Sequence, residues 1–155
     1  MDIKRELLRD HEDHESLLQQ LARAIETKRP TAELRHCWVA FEENLFDHLD
    51  TEERFLFTVT AQAHRLEIEQ LRSEHRQIRQ AVIGLSVSIE LNTLKKQAID
   101  DLRDLMLAHG AHEERSLHQW LEADEGVMAQ RGVLAIRSRR ERSSARLRLV
   151  AKASD

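Results

Sequence analysis

Four long segments of the chain carry apolar residues at every third or fourth position, the spacing of one face of an α-helix. They cover about residues 2–28, 31–58, 66–89 and 94–125. The 155-residue chain holds one proline and four glycines, so few residues inside the segments would interrupt a helix. The breaks between the segments are short, and helices joined by short turns pack in opposite directions. The pattern predicts an all-α fold, an antiparallel up-down-up-down four-helix bundle.

Charge divides the chain into two parts. Residues 1–125 carry 16 basic and 26 acidic side chains, a net charge of −10, whereas residues 126–155 carry 8 and 2, a net charge of +6. We therefore expect a bundle over residues 1–125 and a basic, partly helical C-terminal extension over residues 126–155. Residues 137–148, RSRRERSSARLR, could contact nucleic acid or an anionic membrane. The extension has no aromatic residue to stack on bases, and we favour an arrangement in which it folds back on the acidic bundle.

The composition also bears on the compartment. Cys37 is the single cysteine, which excludes an internal disulfide and suits a reducing environment. The N-terminal residues lack the apolar region of a secretion signal, and no stretch approaches the roughly 18 apolar residues of a membrane span. We expect a cytoplasmic protein without a membrane span.

One polar motif occurs twice. His48 is followed four residues later by Glu52 in HLDTEER, and His109 is followed by Glu113 in HGAHEER. Each copy is preceded, on an earlier predicted helix, by an acid and then a histidine: Asp10-His11 and Glu74-His75. The repeat suggests two helical hairpins related by a pseudo-two-fold axis.

The repeated polar residues lie on the apolar faces of their helices. His48 and Glu52 are four residues apart and share one face, which also holds Leu45 and Leu49. A carboxylate buried without a partner is very costly, and pairing or metal coordination is the usual solution. Bundles bind two metals in this way, with bridging carboxylates and terminal imidazoles. The inward-facing residues are therefore candidate metal ligands: His11, His48, Glu52, His75, His109 and Glu113.

In these motifs the chain resembles the haemerythrin-like family, whose domain is known as the HHE cation-binding domain. The resemblance covers about residues 4–122 and is carried by the two acid–histidine pairs and the two His-x3-Glu-Glu motifs. It implies a four-helix bundle around a non-haem centre of two iron ions, held by the six candidate ligands. It further implies that Glu52 and Glu113 bridge the ions, with an oxo or hydroxo group between them. Zinc and manganese accept the same kinds of ligand.

Two positions differ from the oxygen-carrying haemerythrins. Those proteins place a further histidine one turn after the third-helix histidine, where this chain has Arg79, and end the last motif with His-x4-Asp, where this chain has Glu114. The chain is more similar to the four-histidine, two-glutamate pattern of bacterial di-iron proteins linked to iron–sulfur repair and nitric oxide.

This resemblance implies a di-iron protein that senses, binds or detoxifies oxygen, peroxide or nitric oxide, or that handles iron. No general acid, nucleophile or substrate pocket is legible in the sequence, so no turnover reaction is predicted. The alternative is an interaction or regulatory module, in which the metal is structural or acts as a switch and the basic extension contacts a partner.

Further polar residues accompany the candidate ligands. His14 and His112 each lie one turn beyond a candidate ligand, and either is a candidate extra ligand or a donor that supports one. We expect Glu53 and Glu114 to orient imidazoles or to pair with the arginines that follow them. The remaining histidines, His36, His64 and His118, are expected at surface or boundary positions, and Cys37 is expected to be a buried small residue.

Overall fold

A computed structural model describes residues 3–123, 131–136, 138 and 141. The helices are α1 (Ile3–Glu26), α2 (Thr31–Thr51), a π-helical turn (Glu52–Leu56), α3 (Phe57–Thr60), α4 (Arg65–Glu90), α5 (Lys96–Arg115) and α6 (Leu117–Ala123). Residues 131–136 are also helical, and no strand occurs in these described ranges. None of the helices in them is long and apolar enough to cross a membrane.

Two apolar clusters fill the bundle, one towards each end. The terminal cluster contains Ile3, Leu7, Leu56, Phe57, Ile68, Leu71, Leu117, Leu121, Val133 and Ile136. The distal cluster contains Leu18, Leu21, Ala22, Trp38, Phe41, Leu45, Leu49, Ile78, Val82, Leu85, Ile89, Ile99 and Leu102. Helices α1 and α4 therefore run from the terminal to the distal cluster, whereas α2 and α5 run back. Because α1 and α4 each pack against α2 and α5, neighbours are antiparallel, and the predicted up-down-up-down bundle is confirmed.

A layer of buried polar side chains separates the two clusters. It contains Asp10, His14, His48, Glu52, His75, His109 and Glu113, each at most 5 % exposed. The layer residues come from all four bundle helices, close to the places where the chain passes from one apolar cluster to the other. Polar groups buried at this density require partners of their own, because burial without a hydrogen bond or an ion costs several kcal/mol per group, roughly 2–7.

The second helix continues further than the sequence indicated. A turn was expected from Thr58, but α2 passes through the π-helical turn and continues as α3 to Thr60. Within the turn, the Phe57 N–H donates to the Glu52 carbonyl, five residues back. The wider turn leaves Leu56 and Phe57 both fully buried although they are adjacent. It begins at Glu52, and π turns often occur at functional sites.

The last predicted helix is broken at Ser116. The residue has φ −126° and ψ −85°, outside the helical region, and it separates α5 from α6. Its hydroxyl donates to the His112 carbonyl at 2.7 Å, and its N–H donates to the Glu113 carbonyl at 3.1 Å. An irregular turn therefore begins within the first copy of the repeated motif and directly after the second copy. The second turn redirects α6, so that Leu117 and His118 are both fully buried.

Part of the C-terminal extension packs on the bundle. Val133 and Ile136 belong to the terminal cluster and are fully buried. Gly132 allows this approach, since a Cβ atom there would come within 3.0 Å of Leu56 Cδ2. These two side chains make apolar contacts with the bundle. Most of the basic stretch 137–148 lies outside the described residues.

Candidate metal centre

Glu52 directs its two carboxylate oxygens to two different imidazoles. Its Oε1 lies 3.2 Å from His48 Nε2, one turn earlier on the same helix. Its Oε2 lies 3.4 Å from His75 Nε2 on α4. The side chain is fully buried. Glu52 is thus placed between the two halves of the polar layer.

Glu113 occupies the equivalent position from the other hairpin. Its Oε2 lies 3.2 Å from His11 Nε2 on α1. Its Oε1 lies 3.3 Å from His109 Nε2 and 3.9 Å from His75 Nε2. The side chain is also fully buried. Each carboxylate therefore directs one oxygen towards the imidazole pair His11 and His48, and the other oxygen towards the pair His75 and His109.

These contacts define two groups of donor atoms. The first group is His11, His48, Glu52 and Glu113, and the second is Glu52, His75, His109 and Glu113. Within each group the donor atoms all lie within 4.8 Å of one another. The structure thus brings all six sequence-predicted candidate ligands together, and the groups share both carboxylates.

Six of the central atoms have no hydrogen-bond partner in the protein, whereas His11 Nε2 and His48 Nε2 are 3.2 Å apart and hydrogen-bonded to each other. Both carboxylate oxygens of Glu52 and of Glu113 are buried and have no hydrogen-bond partner, and neither has Nε2 of His75 or of His109. Six such atoms buried close together would be very unfavourable without a cation. Imidazole nitrogen and carboxylate oxygen are the donors that iron, zinc and manganese accept. The residues present therefore fit a pair of divalent or trivalent metal ions.

Carboxylates outside the centre fix the orientation of three imidazoles. Nδ1 of His48 donates to Asp10 at 3.1 Å, and Nδ1 of His109 donates to Glu74 at 2.8 Å. Nδ1 of His75 donates to Glu53, also at 2.8 Å. A proton held on Nδ1 leaves the Nε2 lone pair for a metal and raises its basicity.

The acid of each acid–histidine pair thus accepts a hydrogen bond from a histidine on the neighbouring helix. Asp10 is adjacent to His11 in sequence but holds His48, and Glu74 is adjacent to His75 but holds His109. The hydrogen bond between the acid of the first helix and the histidine of the second helix is therefore the same in both hairpins. The expected role of Glu53 in orienting an imidazole is confirmed, whereas Glu114, its counterpart in the second copy, is exposed.

The carboxylates strongly favour charged imidazoles in the metal-free centre. Burial alone would lower the pKa of His48, but the charge of Glu52 and the hydrogen bond to Asp10 raise it to about 9. The pKa of His109 is likewise raised to about 9, against burial, by Glu113 and Glu74. The surrounding carboxylates raise the pKa of His75 to about 11, again against burial. Burial and Glu113 raise the pKa of Glu52, but the neighbouring imidazoles outweigh them and lower it to about 2. Protons therefore supply the positive charge that a metal would otherwise supply.

His11 differs from the other three candidate histidine ligands. No carboxylate of the described residues lies against its Nδ1, and its side chain is 20 % exposed. Its ring lies against the backbone of Gly110, where a Cβ atom would come within 3.2 Å of Nδ1. A cavity of about 330 Å³ opens beside it, between α1 and α5, lined among others by Leu8, His48, Met106 and His109. The centre is therefore approachable from the His11 side.

The two candidate extra ligands lie outside both donor groups. His14 is fully buried, with Nε2 in a hydrogen bond to Asn44 at 3.1 Å. Burial and the neighbouring His48 lower the pKa of His14 to about 3, so it is neutral. His112 donates from Nδ1 to Glu74 at 2.7 Å and shares that carboxylate with His109. Both histidines flank the centre rather than face it.

Two sequence expectations were wrong. Cys37 is exposed rather than buried, because the expectation rested on the usual burial of cysteine and not on its place in α2. His118 is fully buried and not at a surface or boundary position, because the break at Ser116 turns it inward. Of the other two histidines, His36 is exposed and His64 is half-buried and stacked on Trp120 at 3.8 Å, as expected.

Comparison with known proteins places this arrangement in a family. No curated protein and no solved structure matches the chain. The family described as the hemerythrin HHE cation binding domain matches residues 2–121, the region that contains all four bundle helices and both copies of the repeated motif. The chain therefore belongs to the hemerythrin HHE cation-binding domain family.

Proposed function

We propose that the chain binds two iron ions in its polar layer and uses them to sense, bind or detoxify oxygen, peroxide or nitric oxide. The observation that carries the proposal is the pair of donor groups that share Glu52 and Glu113. His11 and His48 would hold one ion, and His75 and His109 would hold the other. Glu52 and Glu113 would each contribute to both sites.

The donor set suits iron. Each ion receives two imidazole nitrogens and two carboxylate oxygens, a mixed set typical of non-haem iron, although zinc and manganese accept the same atoms. Four protein donors leave positions open on an ion that prefers five or six. Iron with open positions supplies reversible binding of small molecules and one-electron chemistry. The protein holds the carboxylates and imidazoles in place through Asp10, Glu53 and Glu74.

The cavity beside His11 is suited to the entry of a small and weakly polar ligand. Apolar atoms make up most of its surface, although charged side chains also line it, and it reaches the candidate ligands His11, His48 and His109. Oxygen and nitric oxide enter such a cavity without losing strong hydration. Larger charged substrates would have to displace the Arg103–Glu15 ion pair at its lining, where the atoms are 2.7 Å apart.

The proposal is tested by anaerobic reconstitution with ferrous iron. We expect about two irons per chain, from the two donor groups, and oxo-bridge absorption bands when oxygen is added. Parallel exposure to peroxide and to nitric oxide ranks the three chemistries. A Glu52→Ala/Glu113→Ala double variant should lose both irons. The matched control, Glu12→Ala/Glu67→Ala, removes the same charge from exposed positions and should retain them. Equal iron in the wild type and the first double variant would overturn the proposal.

A further inference from the structure

His118 is a buried imidazole that the proposed centre does not use as a ligand. It is fully buried, and neither Nδ1 nor Nε2 has a hydrogen-bond partner. An imidazole in this state carries at least one unsatisfied donor, which costs about 1–3 kcal/mol. A leucine at the same place would avoid the penalty. The residue therefore points to a partner that is not one of the protein's own described groups.

The position of His118 indicates where that partner lies. It is the second residue of α6, directly after the break at Ser116. Its ring is stacked on His11, with centroids 6.1 Å apart and planes inclined by 20°. Its sequence neighbours Leu117 and Leu121 belong to the apolar terminal cluster. A polar partner must therefore come from the side of His11 and the metal centre.

Direct coordination does not fit the arrangement. The nitrogens of His118 belong to neither group of donor atoms within 4.8 Å of one another. The remaining partner is a molecule bound at the centre itself, because the His118 ring lies beside that of His11, whose Nε2 faces Glu113. The access cavity reaches the centre at the same histidine.

We propose that His118 is a positioning residue, which donates a hydrogen bond to a small anion or water bound at the His11/His48 side of the centre. The proposal rests on the proposed function, since it needs metal ions to hold the small ligand. The two sides of the centre would then differ in their ability to hydrogen-bond an added ligand. The His11/His48 side has a hydrogen-bond donor, His118. The His75/His109 side instead has the apolar ring of Phe57 against His75, with ring centroids 5.1 Å apart.

Azide binding to the di-iron protein tests the proposal. Azide is a small anion whose complexes with ferric iron are coloured, so its dissociation constant follows from an absorption titration. Loss of a hydrogen bond to a charged partner predicts azide binding about 10- to 100-fold weaker in His118→Leu, with iron per chain unchanged. His118→Gln retains a side-chain N–H and should recover part of the affinity. His64→Leu removes a half-buried imidazole that stacks on Trp120 and should bind azide as the wild type does.

The outcomes separate the alternatives. Wild-type azide affinity in His118→Leu would overturn the proposal. Loss of iron in His118→Leu would also overturn it, because His118 would then be a metal ligand. If His118→Leu does not fold, His118→Phe keeps a planar ring without a donor and gives the same comparison. A wild-type protein that holds no iron at all would instead overturn the proposed function.

Discussion

Metal binding should expel about three protons from the centre at pH 7.5. The perturbation is titration of the metal-free protein with Zn²⁺, which carries the same charge as ferrous iron but has no redox chemistry. The metal binds only to unprotonated imidazole. In the metal-free protein His48, His75 and His109 have pKa values raised to about 9, 11 and 9. All three are therefore almost fully protonated at pH 7.5, and each must release one proton.

Isothermal calorimetry measures this number directly. The observed heat is recorded in buffers of different ionisation enthalpy, and the slope against that enthalpy is the number of protons released. We expect a slope of about three, or about four if a coordinated water also ionises. The exposed His36 should not contribute, so His36→Gln should give the wild-type slope. A slope near zero would refute the reasoning, because it would mean that neutral imidazoles face the carboxylates before the metal arrives.

Three further outcomes are expected. Glu53→Gln weakens the hold on His75 Nδ1 and should lower metal affinity about 10- to 100-fold in competition with a chelator, whereas the exposed Glu114→Gln should not. The melting temperature of the metal-free protein should fall as pH rises from 6.5 to about 9. The charged imidazoles of His48 and His109, whose pKa values are raised to about 9, contribute their full stabilisation below pH 6.5 and lose it as they deprotonate. The metal-loaded protein should not show this fall, since metal affinity increases over the same pH range. Leu56→Ala empties a fully buried position of the terminal cluster and should cost about 2–5 kcal/mol in urea unfolding, whereas Leu66→Ala, at a position 78 % exposed, should cost little.

Spacing along the helices was sufficient to predict that the six candidate ligands lie close together. His48 and Glu52 are four residues apart in an apolar stripe, and that spacing fixes their common face wherever the helix packs. The same holds for the second copy of the motif. The antiparallel order of the helices then brings the two copies together, which explains why the six candidate ligands could be predicted without a structure.

Contacts between helices could not be predicted in the same way. Asp10 and Glu74 are adjacent to candidate ligands, but they hold histidines on the neighbouring helix. That choice depends on the rotation of one helix against the other, which sequence periodicity does not specify. The shared use of Glu74 by His109 and His112 depends on the same rotation.

Irregular turns account for the remaining errors. On an unbroken helix His118 would lie about 140° around the axis from Glu113, well away from the centre. The break at Ser116 cancels that relation and buries His118 beside His11. The π-helical turn at Glu52 likewise carries the second helix past Thr58, where the second helical segment was expected to end. Short-range sequence preference predicted neither irregularity, because both are fixed by burial of side chains in the terminal cluster.

The central claim is that two metal ions share Glu52 and Glu113, and crystals of the iron-loaded protein test it most directly through anomalous diffraction at the iron edge. We expect two anomalous peaks between the carboxylates, one beside His11 and His48 and the other beside His75 and His109. A single peak, or none within the polar layer, would contradict it.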